Sequence, residues 1–249
     1  MPADALAVFI KFRDFLVTLA PWVILALIAG AGMMETLRGR ASDDPRGRRS
    51  LLVGAGLAFA APSILGTLGF GLWLALVRAA FVAIVLAAGS KIATGSERSV
   101  VIERWLGAAG PQLPEARLKD QAKRLWSAMT ERLDEVGLWF LGACATAGVI
   151  AVFVPYQIGF DLFGRTVWIG ALLGAVVGTL TRRGTGMELP LASLLLLKGG
   201  ANAAAAALLL ASTPLPFRLW RDGARGWIAG SLVVACSAAV GALAGWAVL

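Results

Sequence analysis

Charges in this sequence fall in clusters separated by long stretches that carry almost none. Lys11 and Arg13, then Arg38 to Arg49, Lys91 to Arg132, Arg182 with Arg183, and Arg218 to Arg225 punctuate runs dominated by Leu, Ala, Val and Gly. A soluble domain spreads its charges over its surface. Lipid-embedded backbone must satisfy its own hydrogen bonds, which a helix does within one segment, so this alternation is the pattern of a helical membrane protein. With 58% apolar and 15% charged residues, the chain is read as all-α: a polytopic integral membrane helix bundle. The net charge of +8 does not point to nucleic acid, because the basic residues border apolar spans instead of sharing one face.

Several chemistries are closed off. Cys144 and Cys236 both lie inside apolar runs and histidine is absent. Neither a disulfide framework nor a Cys/His metal site is expected, and the two thiols are read as buried and structural. No phosphate-binding GxxxxGK[ST], nucleophile elbow or histidine-dependent triad occurs. The expectation is therefore a protein that is not an enzyme, with no cofactor and no metal.

The apolar runs divide the chain into a membrane half at 1–90, a connector at 91–136 and a second membrane half at 137–249. The first span is set at Phe15 to Met34, with Pro21 in its opening turns where a missing N–H matters least. Leu51 to Ser90 is too long for one span and is read as a hairpin turning near Gly66 to Gly71. In the connector, Leu118, Ala122, Leu125, Trp126, Met129, Leu133 and Val136 follow helical spacing, which predicts an amphipathic helix at the headgroup zone. Spans follow at Gly137 to Val154 and Thr166 to Thr181, with a turn at Tyr156 to Gly164, and a last span covers Trp227 to Leu249. Gly170, Gly174 and Gly178, like Gly241 and Gly245, have the four-residue spacing that lets helix backbones approach, and are assigned to packing within the molecule. Basic loops at 38–49, 91–136, 182–183 and 217–226 are placed on the cytoplasmic side, with the N-terminus outside.

The functional expectation rests on residues 184–216. Crossing a bilayer core of ~30 Å takes roughly 20 helical residues. Leu189 to Leu197 and Ala201 to Ser212 are each too short, and Lys198-Gly199-Gly200 separates them. They are read as two short helices that enter the membrane and return, the kind of break that frames substrate sites in transporters. An ionisable residue at membrane depth is a functional candidate by default, which selects Glu188 and Lys198; Asn202, Ser212 and Thr213 are candidates for lining the same pathway. Ala58-Phe59-Ala60-Ala61-Pro62-Ser63 weakly repeats Leu208 to Pro214, which adds Pro62 and Ser63. Arg78 is expected to form a structural pair with an acidic group such as Glu35, or to bind free carbonyls.

The order Gly186-Met187-Glu188-Leu189-Pro190-Leu191, Leu197-Lys198-Gly199-Gly200 and Ala211-Ser212-Thr213-Pro214, with Ala58-Phe59-Ala60-Ala61-Pro62 in the first half and Leu138-Trp139-Phe140-Leu141-Gly142 after the connector, resembles the predicted permeases related to organoarsenical efflux permeases. The resemblance runs through most of the chain from about residue 51. It implies a permease fold with broken helices. Gly186-Met187 stands where that family has a cysteine before its acidic residue, and the charged loop Glu35 to Ser50 where it has a cysteine-rich motif. Thiol-assisted transport therefore lacks its ligands here.

The sequence thus predicts a permease-like protein that moves a small solute across a bacterial cytoplasmic (inner) membrane. Its partners are lipid, the solute, and another membrane protein or a second copy, and not nucleic acid. The rival reading is a non-transporting membrane subunit, a permease-derived scaffold for a larger complex.

Overall fold

The computed structural model describes residues 3–38, 45–92, 118–181, 186–213 and 224–247, and every regular element among them is helical. Helix α1 (Ala3–Arg38) is followed by α2 (Pro45–Gly66), which runs through a 3-10 turn at Thr67–Phe70 into α3 (Leu72–Ile92). The expected hairpin turn is therefore present. Gly71 closes it at φ 124°, a value that strains any residue with a Cβ. Helix α1 begins well before Phe15, so Pro21 sits inside it and leaves the Val17 carbonyl without its usual donor. Gly30 of α1 lets α2 come close, since a Cβ there would lie 3.0 Å from the Ala58 carbonyl oxygen.

Helix α4 (Leu118–Phe153) is one continuous helix of 36 residues. The sequence divides this stretch at residue 136 into connector and span. The helix does not break there, because a single Gly137 costs only about 1 kcal/mol, and Val136, Phe140, Cys144 and Ala147 continue one buried face into the core shared with α1. Of the predicted amphipathic face, Val136 is buried and Leu125 and Met129 are half-buried, whereas Trp126 and Leu133 are exposed. Gly148 packs on Val8 and Phe12 while Val136 and Phe140 share the core with Val23 and Leu27, so α1 and α4 run antiparallel. Cys144 is buried, but Cys236 is exposed on the last helix, contrary to expectation.

Pro155 ends α4. Helix α5 (Tyr156–Gly159) and a π-helical turn (Phe160–Gly164) lead into α6 (Val167–Leu180), and the segment 156–164 is bent by 102° from α6. Next come α7 (Glu188–Leu197) and α8 (Asn202–Ala211), ten residues each, or about 15 Å of rise, half of what a crossing needs. The last described helix is α9 (Ala224–Ala247). Glycine makes the α6–α8–α9 packing possible: a Cβ at Gly174 would overlap the Ala204 carbonyl, one at Gly178 the Leu208 carbonyl, and one at Gly241 would sit 2.6 Å from the Ala207 nitrogen. The four-residue glycine spacing is thus used within the molecule, with α6 parallel and α9 antiparallel to α8.

Three helical stretches, Ala3–Leu37, Ser50–Phe70 and Ala122–Phe153, are long and apolar enough to cross a membrane, and the bent pair 156–180 is a fourth if taken as one span. Leu72–Ala88, α7, α8 and Ser231–Gly245 are shorter apolar helices. Exposed Val17, Leu25, Ile84, Leu138, Trp168 and Leu180 give the bundle an apolar exterior suited to lipid. The basic segments 39–44, 93–117, 182–185 and 214–223, on which the inside–outside assignment rests, lie outside the described residues, as do the side chains of Trp227 and Trp246.

Candidate functional site

Four helix ends meet in the middle of the bundle. Ser63 lies in the last turn of α2, one residue after Pro62, and Thr67 opens the 3-10 turn. Arg78 is in the second turn of α3, Glu188 is the first residue of α7, and Ser212 terminates α8. Leu189 packs on Gly66 and shares the core with Val23, Leu27, Leu208 and Leu209. Val23 and Leu27 lie in the apolar stretch of α1, so the junction is built into the bundle's main core.

The side chains form one buried network. Arg78 Nη2 and Glu188 Oε1 are 2.7 Å apart, and neither side chain has any solvent exposure. Arg78 Nη1 donates to the Ser63 carbonyl at 2.7 Å and to Thr67 Oγ1 at 2.6 Å; Nη2 also donates to Ser212 Oγ at 2.7 Å and to Ser63 Oγ. Each hydroxyl that accepts from the guanidinium donates onward: Ser63 to Glu188 Oε1, Thr67 to the Ser63 carbonyl at 2.9 Å, and Ser212 to the Leu209 carbonyl at 2.8 Å. Helix polarity supports both charges. The cation sits at the carbonyl ends of α2 and α8 and the carboxylate at the amide end of α7, the arrangement helix dipoles favour.

Two polar atoms stay unsatisfied. Arg78 Nε and Glu188 Oε2 are buried and have no hydrogen-bond partner. A group left this way is costly, and a buried ion pair is by itself weak evidence of a stabilising role.

The sequence candidates separate sharply. Ser63, Glu188 and Ser212 converge on Arg78, with buried Pro62 next to Ser63 and setting the chain there. Thr213 is buried beside Ser212, but its hydroxyl is spent on the Leu210 carbonyl at 2.5 Å. Lys198 lies at the opposite end of α7, where Nζ donates to the Ala151 and Val154 carbonyls at 2.7 and 2.6 Å and so caps α4. Asn202 is exposed at the start of α8. The expected Glu35–Arg78 pair is corrected: the carboxylate on Arg78 is Glu188, because Glu35 lies near the far end of α1 while the α2–α3 turn delivers Arg78 to the bundle centre. The alternative partner, a free carbonyl, is present in Ser63. Thr67 was not foreseen; its signal is the four-residue spacing from Ser63 just before the Gly66–Gly71 turn.

Among the described residues no three His, Cys, Asp or Glu side chains come together to hold a metal ion. Comparison with protein-family models, curated proteins and solved structures returns no match.

Proposed function

We propose that this membrane protein is permease-like and moves a small solute past the junction of the α2–α3 and α7–α8 hairpins, in the setting of a bacterial inner membrane. One observation carries the reading: a fully buried Arg78–Glu188 pair among apolar helices, held by the ends of broken helices, with one valence of each charge unused. Intramembrane charges of this kind mark substrate and ion pathways, and half-helix ends aimed at a central site are a recurrent transporter device. The resemblance to predicted permeases points the same way. Glu188, Arg78, Ser63 and Ser212 form the site in this reading, with Thr67 orienting Arg78, and the sealed network is its occluded state.

A second reading has its own support. Both charges are completely enclosed, as they would be in a shortened scaffold that binds another membrane protein and passes nothing. The separating experiment reconstitutes the purified chain in proteoliposomes. Uptake of a labelled monocarboxylate, amino acid, alkali cation and polyol is measured, with native mass spectrometry from nanodiscs in parallel. The permease reading expects saturable uptake of one solute class, lost in the Arg78→Met/Glu188→Met variant. Absence of uptake from all four classes together with a stoichiometric partner would establish the scaffold.

A further inference from the structure

We infer that the junction takes a small monovalent oxyanion together with one proton, the anion on Arg78 and the proton on Glu188; this rests on the permease reading and names its substrate class. The argument starts from the edge of the guanidinium. Nε and Nη2 are the two parallel donors that a carboxylate or similar oxyanion engages in a bidentate manner. Glu188 reaches this edge with a single oxygen, Oε1 on Nη2, while Nε stays without an acceptor and Oε2 without a donor. The two open atoms have opposite requirements. A weak acid, as its anion plus one proton, supplies both.

Charge balance favours the same species over a bare ion. The resting pair is neutral overall, Arg78 cationic and Glu188 anionic. An anion added alone leaves the buried site at minus one, and a metal or ammonium cation added to Oε2 leaves it at plus one, because arginine does not release its proton. Both states carry the penalty of an unpaired charge away from water. An anion with a proton returns the sum to zero: Oε2 becomes an O–H, the attraction between Oε1 and Nη2 weakens, and the anion takes the Nε and Nη2 donors. Full enclosure by Ser63, Thr67, Ser212 and Leu189, each no more than 1% exposed, keeps the ligand small.

Among the residues whose side chains are described, Arg78 and Glu188 are the only buried charges, and Glu188 is the one that can accept the proton. Of the elements packed around Glu188, α8 carries no charged residue and α7 no other. Helix α1 carries Asp4, Lys11, Arg13 and Asp14 in its first half, half-buried Glu35 near its end and Arg38 as its last residue, and α3's other charge, Lys91, is at its end. The charges of α2, Arg46, Arg48 and Arg49, lie in its first turns. On α4, Glu131 and Asp134 are exposed, and Arg132 donates to the Phe59 carbonyl at 2.9 Å with its guanidinium over the Phe59 ring.

The test is calorimetric titration of the full chain in mild detergent with sodium formate, in two buffers of different ionisation enthalpy and across a pH series. The wild type is expected to take up about one proton per formate, its affinity weakening as pH rises. Glu188→Gln, which mimics the protonated acid, should bind formate with no proton uptake and no pH dependence. Arg78→Met/Glu188→Met, which leaves no unpaired charge and should stay folded by circular dichroism, should not bind it. Binding without proton uptake, pH dependence retained in Glu188→Gln, undiminished binding by the double variant, glycine bound in preference to formate, or no saturable binding by the wild type would overturn the inference. Formate and proton binding without flux in proteoliposomes would sink the permease reading alone. Flux of a cation or polyol without formate binding would sink this inference alone.

Discussion

The two ends of helix α7 carry one charge each and use it in opposite ways. At the amide end, Glu188 is wholly buried, paired with Arg78 and left with one oxygen unused. At the carbonyl end, half-buried Lys198 donates to two carbonyls of the last turn of α4, and the tip it belongs to is tied down by backbone bonds from Gly200 to Leu195 at 2.8 Å and from Ala201 to Phe163 at 3.0 Å. Orphan carbonyls at a helix terminus need a donor, so the lysine has a complete structural explanation. The glutamate does not. Residue type and membrane depth made both look like pathway candidates, and burial together with unspent hydrogen-bonding capacity separates them.

The largest expected effect comes from splitting the pair. Arg78→Met strands a buried carboxylate and should lower stability in detergent by about 3–5 kcal/mol, while Arg78→Met/Glu188→Met should recover most of that loss. Chemical unfolding followed by tryptophan fluorescence reads both. Equal destabilisation by the double variant would mean that the pair holds the fold.

At the tip, Gly199→Ala is expected to cost about 2–3 kcal/mol. Gly199 has φ 76°, where a Cβ costs roughly 1–2 kcal/mol, and the new methyl would run into the Tyr156 ring, adding the strain of overpacking. A shift in midpoint without loss of formate binding would keep the tip structural.

Lys198→Met removes two charge-assisted bonds from a half-buried site, for about 1–2 kcal/mol of stability. Its proton uptake per formate should match the wild type. A changed stoichiometry would erase the contrast between the two ends of α7. Smallest of all, exposed Asn202→Ala should stay within about 0.5 kcal/mol of the wild type and leave formate affinity untouched, as equilibrium dialysis would show.

How much of this was legible follows from the range of each interaction. Breaks written in proline and glycine could be read directly: the Gly66–Gly71 turn, the end of α4 at Pro155 and the interruption at Lys198-Gly199-Gly200 all stand where local chemistry put them. The change from polar to apolar composition at residue 136 marks connector from span in the sequence, and it does not show that one helix runs through both, because the backbone has no reason to stop there. Glu188 was found as one of two charges flanking a short apolar arm and Arg78 as the lone charge of another apolar run, yet the pairing of the two spans 110 residues. No local pattern encodes it. Glu35 was the nearer acid in sequence, and the hairpin turn decided against it.

Proton-coupled anion exchange in vesicles probes the central claim most directly. Labelled formate exchange at neutral pH should be faster in proteoliposomes holding the wild-type chain than in vesicles holding Arg78→Met/Glu188→Met, with the excess rising as pH falls and unchanged by an imposed membrane potential, since each step carries no net charge. Equal exchange in the two preparations would contradict a pathway through the Arg78–Glu188 junction, and an excess that follows the membrane potential would contradict its charge balance.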